Sequence, residues 1–388
     1  MKKRMKKRKR LCLVILCFIC IGIITAICIN RFKSNDKKSH NKENGARNSR
    51  TVLYNDSIYF IKNRKLYKAD VDGTNQKVLK KLPYGQRVQE GDEYSNLTIY
   101  KNRLYAIYQA SDFLDRDSYI FSIALDGTGY RKEVEGPNLK GDKAEEYNTY
   151  IIQFSITNGY IYYACIFYDY EENSHLKYTI YKQKIGMKKK IKTKYERKDA
   201  PELFEKYAYY IEYNDKSRTS KLIRMDVETG KEVVCYTGKR PNVMFGYISY
   251  QTILKKRLIL SSNTDIIWIN SKNTKEFVKK KVATNTEYGV SIVNVNNKEV
   301  FYSVGDCIFK LDLKTRETEA VFFWIDIDVE PRTNTRMESV ELLGDTMAIY
   351  GYLNGDERNE FIVFVQRKEG MESNDYARVI REKIQECQ

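Results

Sequence analysis

The chain is 388 residues long, with 32 Tyr, 5 Pro and 2 His, and it carries a formal net charge of +17. That length accommodates two average domains or one large repetitive β domain, and abundant Tyr beside frequent Ile and Val suits pleated, half-buried strands. The charge is confined: residues 1–50 hold 15 Lys and Arg against Asp36 and Glu43, while the rest of the chain carries 53 basic and 49 acidic side chains, so nothing in the folded part points to nucleic acid.

Residues 1–10 form a basic tail, with eight Lys and Arg between Lys2 and Arg10. Leu11–Asn30 (LCLVILCFICIGIITAICIN) follows without a charge. At about 1.5 Å per residue it spans roughly 30 Å, the thickness of a bilayer core. A positive cluster on the short side keeps that side cytoplasmic, so the expectation is a single-pass signal anchor in the cell membrane with the bulk of the chain extracellular. A cleaved signal peptide is the competing reading, but the apolar core is long for one and no A-x-A site follows. Lipid attachment at Cys28 would need a small residue just before it, where Ile27 stands. Cys12, Cys17, Cys20 and Cys28 read as small apolar residues of the span, with palmitoylation as the alternative. Residues 31–50 are polar and read as a flexible tether whose basic groups could touch wall or lipid polyanions.

Residues 51–373 are repetitive. A Tyr-rich strand, a turn, a strand ending in Asp or a substitute, a tight turn and a further strand recur. The third strands begin at Leu66, Ile120, Ile180, Leu222, Ile267, Ile308 and Ile362, spaced 54, 60, 42, 45, 41 and 54 residues apart. Units of about 40 to 60 residues with four short strands match propeller blades. The fold class expected is therefore an all-β propeller of four-stranded blades, seven by this count, with six or eight left open, behind one N-terminal transmembrane helix. Asp72-Gly73-Thr74, Asp126-Gly127-Thr128 and Thr229-Gly230-Lys231 supply tight turns between third and fourth strands. Second strands such as Ile58-Tyr59-Phe60-Ile61 and Tyr160-Ile161-Tyr162-Tyr163 should pack aromatics between blades. The last repeat lacks a clear fourth strand; residues 51–54 would either complete that blade or begin the first one.

Ser57-Ile58-Tyr59-Phe60, followed by Leu66-Tyr67-Lys68-Ala69-Asp70-Val71-Asp72-Gly73-Thr74, resembles the YWTD propeller repeat of low-density-lipoprotein-receptor-type proteins. It resembles still more an uncharacterised bacterial family of secreted propellers related to it. The resemblance covers about residues 51–370 and implies a propeller with a binding role, and no catalytic residue.

Residues 374–388 read as a short helix, capped by Asn374 or Asp375, with Tyr376, Val379, Ile380 and Ile384 on one face that packs on the propeller.

The search for chemistry finds little. Beyond the tether there is one histidine, His175, in an expected loop, with neither nucleophile nor orienting acid signalled beside it. No glycine-rich phosphate loop and no G-x-S-x-G occurs. Cys165, Cys235, Cys307 and Cys387 are widely spaced, and the first three fall on expected strands as buried thiols. No metal site and no cofactor are expected. Paired carboxylates for glycoside cleavage remain open, because acids abound.

Recognition is expected on the face carrying the loops between second and third strands. Several of these are long, acidic and partly aromatic: Ser111–Ser118, Tyr168–His175, Tyr213–Ser220 and Asn354–Glu360. The candidate contacts are Asp112, Phe113, Asp115, Asp117, Tyr168, Asp169, Tyr170, Glu171 and Asp356, which suit a cationic partner or ligand. The functional expectation is a non-enzymatic membrane-anchored module binding protein or cell-wall glycan. The alternative is a propeller hydrolase or lyase acting on surface polysaccharide.

Overall fold

A computed structural model describes residues 49–83, 93–110, 118–136, 147–169, 174–214, 216–217, 219–239, 257–261, 264–270, 277–283, 289–295, 298–305, 307–323, 336–353, 359–368, 371 and 373–386. The transmembrane expectation at Leu11–Asn30 lies outside them. Among the described residues no helix is long and apolar enough to cross a membrane.

The described strands form seven antiparallel sheets in chain order, five of four strands and two of three. They occupy residues 51–81, 93–135, 147–197, 202–239, 257–281, 290–323 and 336–366, numbered here sheets 1 to 7. Each is a simple meander in which consecutive strands pair. The expected third strands all lie on strands, for example Lys65–Asp70, Ser118–Ala124 and Glu360–Gln366.

Why the sheets form a ring can be read from the alternation along single strands. In Arg103–Gln109, Leu104, Ala106 and Tyr108 join a buried cluster with Val52, Tyr59 and Leu66 of sheet 1. The intervening Tyr105 and Ile107 join a different cluster with Ile151, Phe154 and Tyr163 of sheet 3. Side chains alternate across a strand, so a strand apolar on both faces needs a sheet against each of them. The same division recurs in Tyr160–Asp169: Ile161, Tyr163 and Cys165 face sheet 2, whereas Tyr162, Ala164 and Ile166 face sheet 4. Further clusters join sheets 4 and 5 through Tyr209 and Ile267, sheets 5 and 6 through Trp268 and Tyr302, and sheets 6 and 7 through Phe301 and Ile349. A last cluster packs Ile58 and Phe60 of sheet 1 against Tyr350, Ile362 and Phe364 of sheet 7, which closes the circle. The fold is a β-propeller. Most described tyrosines of the second strands are buried between sheets, and Tyr105, Tyr108, Tyr163, Tyr210 and Tyr302 are among the largest fully buried side chains, while Tyr213 is 43% exposed.

Residues 51–54 settle the question of closure. Thr51–Tyr54 pairs with Ser57–Lys62 as the first strand of sheet 1 and is not lent to sheet 7. In the place where a fourth strand of sheet 7 would lie, the helix Ser373–Gln385 packs against Glu360–Gln366 and against Thr318–Phe323, the last strand of sheet 6. Tyr376, Ala377, Ile380 and Ile384 are buried there. A helix laid over an edge strand shields a row of unpaired backbone groups from other chains.

Gly73 shows how tightly the ring is drawn. Its φ is +82°, and a Cβ on it would stand 2.3 Å from the Cβ of Phe364 in sheet 7. Only glycine admits both the left-handed turn and that approach.

Candidate functional site

A buried polar cluster lies at the seam between sheets 7 and 1. Glu341 sits on the first strand of sheet 7, Arg336–Leu343, with 6% of its surface exposed. Its Oε1 accepts from the Arg50 backbone N–H at 2.8 Å, and its Oε2 from the Thr51 N–H at 3.1 Å and from the Thr51 hydroxyl. Glu360, the first residue of the third strand, accepts the Arg50 guanidinium at 2.6 Å and the Asn63 N–H at 2.6 Å. The guanidinium lies 4.1 Å from the centre of the Tyr350 ring. The Tyr350 hydroxyl reaches Tyr352 at 2.6 Å and Glu360 at 3.2 Å. Thr346 adds a bond to the Val71 carbonyl at 2.6 Å.

The electrostatics follow from burial. Loss of water pushes the Glu341 carboxyl up, and the donors from Thr51 and Arg50 pull it back only in part. Burial alone would lower the Arg50 guanidinium, but Tyr350, Glu360 and Tyr352 outweigh it and hold it above its ordinary value. Burial raises the Tyr350 hydroxyl, with Glu360 and Tyr352 adding to the effect and Arg50 opposing it.

The seam is the charged version of a device used elsewhere in the ring. Asn96, in the first strand of sheet 2, donates to the Ile152 carbonyl of sheet 3 at 3.3 Å. Gln153, in the first strand of sheet 3, donates to the Leu203 carbonyl of sheet 4 at 3.1 Å. In each case a buried polar residue of one first strand reaches the backbone of the next. At the closing interface that residue is a carboxylate, and it takes two backbone N–H groups and a hydroxyl at once. Charge-assisted bonds of this kind are the stronger sort. Chemically the cluster is a clasp, since the seam itself supplies donors to both oxygens of Glu341 and to both of Glu360. Sequence reading missed it. Its only trace is a polar residue inside an apolar first strand: Asn96 before Leu97, Gln153 before Phe154, Glu341 before Leu342.

Of the contacts expected from the sequence, Asp112, Phe113, Asp115, Asp117, Tyr170, Glu171 and Asp356 lie outside the described residues. Tyr168 and Asp169 are described in backbone only. They extend the strand Tyr160–Asp169, where Tyr168 pairs with His175 and Asp169 with Ser174. His175 therefore stands on a strand, Ser174–Lys184, and not in the loop expected for it; the hairpin runs two residue pairs further than its polar sequence suggests. Cys165, Cys235 and Cys307 are buried thiols, and burial raises the first two. Among the described residues no group of His, Cys, Asp and Glu is placed to hold a metal.

These features define a propeller closed by side chains. No family's sequence model matches the chain, and no curated protein resembles it in sequence. Solved structures resemble it in fold. A prolyl endopeptidase is 13% identical, with 84% of this chain and 51% of that one covered at a TM-score of 0.48. The tricorn protease is 11% identical, with 79% of this chain and 33% of that one covered at a TM-score of 0.30. An uncharacterised protein of Listeria monocytogenes is 12% identical, with 86% of this chain and 97% of that one covered at a TM-score of 0.45. The chain thus spans about half of the one peptidase and a third of the other. The expectation of a non-enzymatic binding or scaffold module is corrected here: the solved structures that share the fold include peptidases. Likeness at this level is one of fold, and it assigns this chain no substrate and no catalytic residue.

Proposed function

We propose that this protein is a propeller of hydrolytic function that acts on an extracytoplasmic polymer, surface polysaccharide first, from a membrane in which residues 11–30 anchor it. We propose one blade for each of the seven sheets among the described residues. The observation that carries the reading is the direction of the strands. The second strands Arg103–Gln109, Tyr160–Asp169 and Thr346–Tyr352 each end, within their sheets, beside the end where the first strand starts. The segments that follow them hold Asp112, Asp115, Asp117, Glu171 and Asp356. Glu360, Tyr352 and Arg50 stand at that same end of the ring. Acid–base cleavage of a glycosidic bond requires a pair of carboxylates, one to protonate the leaving oxygen and one to activate water or attack, and the sequence of these segments is rich in them. The kinship of the repeat with the YWTD type belongs to this proposal as a statement about ancestry; it contributes no reacting group.

The test is incubation of the full chain with isolated wall and surface polysaccharides, with released fragments read by mass spectrometry. Peptide substrates form a parallel arm. Release from polysaccharide, lost when Asp112, Asp115, Asp117, Glu171 and Asp356 become Asn or Gln in a chain that melts normally, supports the reading. Release from peptides alone would move the substrate class. No release from any polymer by a folded chain would overturn it.

A further inference from the structure

The outer hairpin of sheet 3 has a composition that folding does not explain. Residues 184–194 read Lys-Ile-Gly-Met-Lys-Lys-Lys-Ile-Lys-Thr-Lys, six lysines and no acid. Residues 186–192 are exposed throughout. Two apolar side chains stand out among the lysines: Met187 is 54% exposed and Ile191 41%. Single exposed apolar residues are common on protein surfaces. Here two of them share one acid-free run of cations.

The tip is held in place. Gly186, at φ +77°, makes the turn, and the Met187 N–H donates to the Lys184 carbonyl at 3.0 Å. Gln183, buried, donates at 2.5 Å to the Met187 carbonyl and at 2.5 Å to the Glu133 carbonyl of sheet 2. Lys190 is tied to the Glu135 and Gly136 carbonyls. Farther along, Glu196 pairs with Lys177 and Lys192, which hold its carboxyl below the ordinary value. Among the described residues no acid partners Lys184, Lys188, Lys189 or Lys194. The corresponding turns of sheets 1 and 2 are different: there Asp72 and Asp126 accept from the N–H and hydroxyl of Thr74 and Thr128. Sheet 3 has no acid at this turn: Ile185 stands before the glycine where Asp72 and Asp126 do, and Met187, after it, takes the place of Thr74 and Thr128.

We propose that this hairpin is a docking surface for an anionic lipid bilayer, its lysines meeting phosphate headgroups and Met187 and Ile191 entering the interface between headgroups and acyl chains. A soluble polyanion would satisfy the lysines but has no use for the two apolar groups, whereas a membrane surface takes both. The hairpin belongs to the outermost strand of its sheet, so the propeller would meet the bilayer on its side. The inference does not depend on the hydrolytic reading.

The experiment is hydrogen exchange on the full chain in phosphatidylcholine bilayers, in the same bilayers with phosphatidylglycerol added, and in phosphatidylcholine with soluble polyphosphate. Amides of residues 185–194 should exchange several-fold more slowly with phosphatidylglycerol, and the effect should vanish in the Lys188→Glu/Lys189→Glu/Lys194→Glu variant and weaken in Met187→Ser. These are surface positions, and an unchanged melting temperature certifies the fold. Equal exchange in the two bilayers would overturn the proposal. Equal slowing by soluble polyphosphate would overturn it in favour of a polyanion site.

Discussion

Replacing Glu341 by Ala removes the acceptor for two backbone N–H groups and one hydroxyl at the closing interface. Glu341 is buried, so water cannot substitute freely. Leaving a buried donor without a partner costs about 1 to 3 kcal/mol each. Arg50 has its side chain anchored elsewhere and can shift, so the net loss is put at about 3 to 5 kcal/mol, the range for breaking a buried polar network at one partner. A domain of roughly 300 residues has an unfolding entropy near 0.6 kcal/mol/K, so the melting temperature should fall by about 5 to 8 °C. Gln at the same position keeps one acceptor oxygen and the side-chain volume, and should cost about a third as much. Gln153→Ala, which cuts the uncharged equivalent between sheets 3 and 4, loses one bond and should cost about 1 kcal/mol. The assay is thermal unfolding of the full chain in detergent followed by circular dichroism, with all three variants side by side. Glu341→Ala melting with the native protein, or no lower than Gln153→Ala, would refute the view that the ring is closed by a charged clasp.

Three further expectations come from the same structure. Because burial raises the folded-state value of Glu341, its contribution is fully present below the ordinary carboxylate value and is lost as pH rises through the raised one; the native protein should therefore exceed Glu341→Gln in melting temperature by more at pH 4 than at pH 8, and an equal gap would contradict the shift. Gly73→Ala meets Phe364 and a positive φ together, whereas Gly186→Ala has the positive φ with nothing within 4 Å; the first should cost about 3 kcal/mol or more and the second about 1, read from denaturant midpoints. Ile380→Ala empties a fully buried site beneath the C-terminal helix and should cost about 2 to 5 kcal/mol, with faster proteolysis after residue 366 as the local sign that the helix has lifted.

The propeller was legible in the sequence because its signal is local and repeated. Tyr59, Tyr105 and Tyr163 sit in strands apolar on both faces, and a strand of that kind must be covered twice, which a ring of sheets accomplishes. The turn at Gly73 was legible for the same reason, since Asp-Gly-Thr specifies it within three residues. The closing clasp was not. Glu341 lies 290 positions from Thr51, and inside MESVELL it reads as an ordinary strand acid facing water. His175 was misplaced because the polar run YDYEENSH looks like a loop, yet Tyr168 pairs with His175 and Asp169 with Ser174, so both ends of the run lie on strands. Function was least legible. Acid-rich loops suit a binding face and a hydrolytic one equally, and the sequence offered no histidine, cysteine pair or glycine loop to separate them.

The most direct test of the closed ring is a double-mutant cycle on Arg50 and Glu360, which lie 310 residues apart and meet at 2.6 Å. Arg50→Met, Glu360→Gln and the double variant would be compared with the native chain in denaturant unfolding. A side-chain pair this shielded from solvent should give a coupling of about 1 to 3 kcal/mol, the double variant losing less than the sum of the singles. Losses that simply add, to within about 0.3 kcal/mol, would mean that the two residues do not meet in solution and that the last sheet does not close on the first in this way.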